Sequence, residues 1–189
     1  MVIDFCKRQN LPIFNSKEIN ELFGNSPIVL LGKGAYGTCY LVKDKELSGS
    51  LSDTTKLKVI YSFALAVRNI ISGGYVHNDL HSSNICMKFE DDEPVVTIID
   101  FGIATKIGEY MCYEEVPGIG LHLAPELYEG CGQGETTEVF SVAVFIEDVY
   151  PTSVPDLLKA WVTGAKSKCP EERPTINDLI EILMRVLED

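Results

Sequence analysis

Apolar residues Leu57, Ile60, Ala64, Val67 and Ile71 recur at alternating intervals of three and four, and Gly73-Gly74 ends the series. This spacing draws a single stripe along a helix, and such a stripe needs another element to cover it. The residues after the two glycines narrow the choice. The polar octapeptide His77-Asn78-Asp79-Leu80-His81-Ser82-Ser83-Asn84 is succeeded by two β-type runs, Ile85 to Phe89 and Val95 to Ile99, joined by the acidic turn Glu90-Asp91-Asp92-Glu93-Pro94. A buried helix, a polar loop and a hairpin thus follow one another in that order. With 189 residues, 46% of them hydrophobic, the chain suits one core rather than two full domains.

Upstream, Pro27 to Leu31 and Thr38 to Val42 read as strands of a hairpin around the glycine-rich Gly32 to Gly37. Asn15-Ser16-Lys17-Glu18, followed by Ile19, Leu22, Phe23 and Gly24, predicts a short capped helix, and Lys43 to Thr55 reads as a polar loop. Downstream of Gly130 to Gly134 the pattern is helical and strongly apolar from Val139 to Val149. Thr175 then caps a last helix with Ile176, Leu179, Ile180, Leu183 and Leu187 on one face. The net charge of −12, from 16 Lys+Arg against 28 Asp+Glu, repels phosphate backbones and anionic lipid, which speaks against nucleic-acid and membrane partners. No apolar run approaches the ~20 residues of a membrane helix, and Asp4 and Lys7 interrupt the start, so the chain reads as intracellular, in cytoplasm or nucleus. Cys6, Cys39, Cys86, Cys112, Cys131 and Cys169 are scattered without a C-x-x-C pair, which indicates reduced thiols and neither a zinc site nor a disulfide framework.

Four motifs carry chemistry. Gly32-Lys33-Gly34-Ala35-Tyr36-Gly37 is a G-x-G-x-x-G lying between β-type runs, where missing side chains let backbone amides approach phosphate oxygens. His77 to Asn84 is an H-x-D-L-x-x-x-N, which sets a carboxylate for a substrate proton a fixed distance from an amide that holds a metal. Asp100-Phe101-Gly102 comes after the second hairpin, and Ala124-Pro125-Glu126 ends 26 residues after Asp100. In this order the motifs resemble the eukaryotic protein kinase family, from about Ile28 to Leu187. Glu138-Val139-Phe140-Ser141-Val142-Ala143 is similar to the family's D-V-W-S-x-G with Glu for Asp, and Arg173-Pro174-Thr175 to its late R-P-T segment.

The resemblance implies an α+β, protein-kinase-like fold with a reduced N-terminal lobe and a mainly helical C-terminal lobe. Residues 1–26 would be an extension, 27–55 the remnant lobe with the glycine loop, and 56–189 the C-terminal lobe. By the same resemblance Asp79 is the catalytic base with Asn84 beside it, and Asn84 and Asp100 are the Mg²⁺ ligands. Leu31, Gly32, Lys33, Gly34, Gly37 and Cys39 would contact ATP, with Lys58 a candidate for its phosphates. His77, Phe101 and Gly102 would be structural, and Glu126 and Arg173 would form a buried ion pair. On their own, His77 and His122 read as satisfied packing histidines.

Departures from the family bear on activity. Forty-two residues separate Gly37 from Asp79, and the helix from Lys56 leaves about 18 of them. The three strands and two helices that the family holds there need roughly 40. The strand lysine that grips the phosphates and the helix glutamate that holds it are among the losses, and no V-A-I-K motif survives. Lys56 or Lys58 are candidates for recruitment, against the plainer reading of a solvated basic helix end. His81 stands where serine/threonine kinases carry lysine, and Ile119 where they carry the threonine that contacts the catalytic Asp. Thr105, Tyr110 and Tyr113 are candidate phosphosites, although Glu109, Glu114 and Glu115 favour a constitutively acidic loop.

Three functions compete. The first is a weak or impaired protein kinase that transfers the γ-phosphoryl of Mg-ATP to a protein hydroxyl. The second is a pseudokinase that binds and competes with a full-length protein kinase or its substrate. The third is a small-molecule kinase of the kinase-like superfamily, suggested by His77-Asn78-Asp79-Leu80-His81 and opposed by the A-P-E and R-P-T segments.

Overall fold

The structure, a computed structural model, describes residues 28–34, 37–42, 51–91, 93–110, 122–129 and 133–188. The chain divides into two compact units, Met1–Leu51 with Asp100–Gly102, and Ser52–Ile99 with Ile103–Asp189. The elements, in chain order, are β1 (Ile28–Gly34), β2 (Gly37–Val42), α1 (Asp53–Ser72), β3 (Tyr75–Val76), β4 (Ile85–Glu90), β5 (Glu93–Ile98), β6 (Thr105–Lys106), α2 (Glu135–Val149), α3 (Asp156–Ala165) and α4 (Ile176–Glu188).

In the first unit β1 and β2 pair antiparallel from Ile28 opposite Val42 to Gly34 opposite Gly37, with an irregularity between Leu30 and Gly32. The ladder therefore runs through the glycine motif, most of which was expected to be loop. The short helix expected near Ser16 and the polar stretch from Lys43 to Ser50 lie outside the described residues.

In the second unit α1 begins at Asp53 rather than Lys56, because Ser52 Oγ accepts the Thr55 amide at 3.1 Å and Asp53 suits the positive end of the helix. Ser52-Asp53-Thr54 is thus a cap and first turn, not the loop its polarity suggests. Leu57, Ile60, Ala64 and Val67 of the stripe are buried together with Phe63, whose ring meets Phe145 of α2 with centroids 4.4 Å apart. The stripe packs on α4 and β5. β5 runs antiparallel to β4, with Ile85 opposite Ile98, and the Val96 amide donates to Ser62 Oγ of α1 at 3.0 Å. β3 and β6 pair antiparallel and so close the stretch of chain that carries the octapeptide and the hairpin.

The helical region after Gly134 divides into α2 and α3, with Pro155 at the start of α3. Trp161 of α3 is buried, and its Nε1 donates to Thr175 O at 3.1 Å, at the start of α4. There Thr175 Oγ1 accepts the Asp178 amide at 3.2 Å while the Thr175 amide donates to Asp178 Oδ2 at 2.7 Å, a reciprocal cap. Among the described residues no helix is long and apolar enough to cross a membrane.

Candidate active site

β3 delivers the chain to His77, which is wholly buried. Its Nδ1 faces the Asp79 amide at 3.3 Å, and an amide only donates, so Nε2 carries the ring proton and donates to Ile99 O at 2.9 Å. His77 thereby sets the backbone at Asp79 and anchors the strand end that leads to Asp100. Asn78 has a φ of 67°, a left-handed conformation that asparagine tolerates better than most residues. Its amide donates to Glu138 Oε1 at 2.8 Å, and its Nδ2 donates to Ile103 O at 3.0 Å and Thr105 Oγ1 at 2.8 Å. The Thr105 hydroxyl donates in turn to Gln133 Oε1 at 2.8 Å, so this candidate phosphosite already serves as a structural link.

Glu138, the residue standing for the family's aspartate, lies beneath the loop. Burial pushes its carboxyl from an ordinary 4.5 up to about 7; the amides of Asn78 and His77 pull it down, and Asp79 pushes it further up. Glu138 Oε2 and Asn78 Oδ1 are buried without hydrogen-bond partners.

Asp79, two residues on from His77, is half-buried. Its Oδ1 accepts from His122 Nε2 at 2.9 Å, and its Oδ2 accepts from Asn84 Nδ2 at 3.0 Å. His81 Nε2 stands 3.6 Å from the same Oδ1. Partial burial raises the Asp79 carboxyl, but the His122 hydrogen bond, the charges of His81 and His122 and the Asn84 hydrogen bond outweigh it, and the net effect lies below its ordinary value. His122 is therefore not the packing histidine its setting suggested: it comes from the segment before Ala124-Pro125-Glu126 and reaches the carboxylate. Ser141 Oγ fixes it by donating to His122 O at 2.6 Å. Ile119, the expected departure in this segment, lies outside the described residues.

Asn84 Nδ2 donates to both Asp79 O, at 2.9 Å, and Asp79 Oδ2. Two oxygens on that side fix the amide, and Asn84 Oδ1 is the atom left for a cation. In the first unit Asp100 is exposed with a φ of 62°, and its Oδ1 accepts the Gly102 amide at 3.3 Å, so the turn holds the carboxylate outward. An amide oxygen and a carboxylate are each a hard donor of the kind Mg²⁺ takes alongside phosphate oxygens and water, so Asn84 in the second unit and Asp100 in the first, taken singly, have chemistry that suits that ion. Phe101, half-buried, lies in the same turn. Leu31, Gly32, Lys33 and Gly34 fall on β1, and Gly37 and Cys39 on β2. Lys58 is ion-paired with Glu93 at the exposed start of β5, and Lys56 Nζ lies 4.9 Å from the Tyr150 ring centroid.

Glu126 and Arg173 meet in a buried two-pronged pair, Nη1 to Oε1 at 2.6 Å and Nη2 to Oε2 at 2.8 Å. Arg173 also donates to Thr136 O and Ser167 O, each at 2.9 Å, so one guanidinium joins the Ala124-Pro125-Glu126 turn, the start of α2 and the loop before α4.

A family model described as protein kinase domain matches residues 46–155 of the chain, more than half of it. The chain belongs to the protein kinase family. Its fold is α+β and kinase-like with a reduced N-terminal lobe, and the family match begins beyond the glycine motif. This kinase-family chain is 29% identical over 189 residues to myosin light chain kinase A of Dictyostelium discoideum, covering 91% of the chain and 60% of that protein. It is 28% identical over 101 residues to calcium-dependent protein kinase 27 of Arabidopsis thaliana, covering 53% of the chain and 21% of that protein. It is 33% identical over 98 residues to serine/threonine-protein kinase dkf-2 of Caenorhabditis briggsae, covering 52% of the chain and 8% of that protein. The chain thus spans 60% or less of the length of these relatives.

Proposed function

We propose that this chain is an intracellular, reduced protein kinase that transfers the γ-phosphoryl of Mg-ATP to a protein hydroxyl, slowly. The observation that carries the reading is the Asp79 carboxylate, held on both oxygens by Asn84 and His122 and kept ionised at neutral pH. Asp79 accepts the substrate hydroxyl's proton at Oδ1, with His122 turning aside to admit it, while Asn84 holds Oδ2 in place. Mg-ATP would supply the phosphoryl group and the divalent charge; Asn84 Oδ1 and Asp100 each offer a donor that would suit the ion, and the glycines of β1 and β2 would let backbone amides approach phosphate. In this reading residues 27–55 are the remnant N-terminal lobe and 56–189 the C-terminal lobe. A transfer assay on protein substrates, with Asp79→Asn as comparison, tests it. Transfer that disappears in the variant is expected, and transfer no greater in the parent than in the variant overturns it.

A second reading, a pseudokinase that competes with a full-length kinase, is favoured by the engagement of a group an enzyme would need. Lys58, the candidate for the nucleotide phosphates, is already paired with Glu93. Absence of any thermal stabilisation by millimolar Mg-ATP would select this reading.

A further inference from the structure

Asp79 Oδ1, His81 Nε2 and His122 Nε2 converge: the ligand-capable atoms of these three residues all lie within 4.8 Å of one another. His122 Nε2 is 2.9 Å and His81 Nε2 3.6 Å from Asp79 Oδ1, and the two rings face each other with centroids 4.7 Å apart at 50°. Nitrogen and oxygen ligands held at about 2.0 to 2.2 Å around a tetrahedral ion stand about 3.4 Å apart, a spacing close to the one found here. The three groups arrive on two supports, Asp79 and His81 on the octapeptide and His122 on the segment fixed by Ser141. We infer that Asp79, His81 and His122 form a site for a borderline transition-metal ion such as Zn²⁺ or Co²⁺, a different ion from the Mg²⁺ of the proposed reaction.

Chemistry selects the ion. Two imidazoles and one carboxylate suit Zn²⁺, Co²⁺ or Ni²⁺, whereas Mg²⁺ requires an oxygen shell. Three protein ligands leave a fourth position for water, so no further residue is needed. Binding through Nε2 moves the ring protons of His81 and His122 to their Nδ1 atoms, which ends the 3.3 Å contact from the Ser83 amide to His81, an exposed and long hydrogen bond, and replaces the His122 hydrogen bond to Asp79 by the ion. Asn84 Nδ2 keeps both Asp79 oxygens as its acceptors. The regulatory consequence rests on the proposed role of Asp79: an ion on Oδ1 occupies the lone pair that would take the substrate proton, and it ties the segment before Ala124 to the octapeptide. The ion would hold transfer off.

Co²⁺ titration of the intact chain in the presence of excess Mg²⁺ tests the site, because cobalt reports its own ligands. A visible ligand-field band without a sulfur-to-cobalt charge-transfer band is expected, although the chain has six cysteines. His81→Ala and His122→Ala should each weaken binding about tenfold or more. His122→Gln, which keeps a hydrogen-bonding group beside Asp79, guards against a folding artefact and should lose binding likewise. A thiolate-type spectrum, displacement of Co²⁺ by Mg²⁺, or affinity unchanged in all three variants overturns the site. Zn²⁺ inhibition of transfer is read separately. If the metal-free chain transfers no phosphate, the role of Asp79 as base fails while the cobalt spectrum still decides the site.

Discussion

Among the described residues, Glu138 carries the carboxyl pushed furthest from its ordinary behaviour. Its carboxyl titrates near 7 when folded and near 4.5 when exposed, so the folded state favours the protonated form. The stabilisation is fully present below about pH 4.5 and is lost as pH rises through about 7, at a slope of no more than about 1.4 kcal/mol per pH unit. Glu138→Gln, which keeps an acceptor for the Asn78 amide, should flatten that decline; urea unfolding at several pH values checks it, and an unchanged slope would refute the assignment. At Asp79 the expected result is loss of transfer in Asp79→Asn, and His122→Ala should raise the Asp79 carboxyl pKa, measurable by carbon-detected titration. The residues of the octapeptide and of Asp100-Phe101-Gly102 were legible because their spacing along the chain is itself the signal. His122 was not, since its partner lies 43 residues away and only packing through Ser141 brings them together. Asn78 carries no sequence signal for its left-handed backbone or for its bond to Thr105.

Among the elements, the turn at Ala124-Pro125-Glu126 depends on a single guanidinium. Arg173→Ala leaves Glu126 buried and uncompensated, so a loss of about 3 to 5 kcal/mol is expected in equilibrium unfolding, and Arg173→Lys, lacking the planar fork, should fall between. An unchanged midpoint for Arg173→Ala would mean the pair contributes nothing to the fold. Ser52→Ala removes the cap of α1 and should cost about 1 kcal/mol. That helix was legible in its interior, where the apolar period of α1 is regular, and misread at its start, where Ser, Asp and Thr look like a turn but satisfy the first amides instead. The division between α2 and α3 was blurred because both are apolar on the buried side and only the stretch around Pro155 breaks the run. In the glycine motif the ladder continues to Gly34 and Gly37, since glycine is compatible with extended pairing as well as with turns.

For the molecule as a whole, nucleotide should act as a ligand of the folded state. Stabilisation by RT ln(1 + [L]/Kd) means about 2.7 kcal/mol when Mg-ATP is at one hundred times its Kd. Lys33→Ala is expected to lower that gain more than Lys58→Ala, because Lys58 already has Glu93 as its partner; equal or reversed effects in thermal melts would show that the start of α1 had been recruited. The shortage of chain between Gly37 and Asp79 was plain in the sequence, because length alone limits how many elements fit. Trp161 offers a different handle on the same molecule. It is the chain's one tryptophan, and its buried indole spans the junction of α3 with the start of α4. Its fluorescence therefore watches the packing of α3 on the start of α4 within the second unit. A far-ultraviolet dichroism trace that moves before the emission does would reveal a chain that comes apart in two stages rather than one.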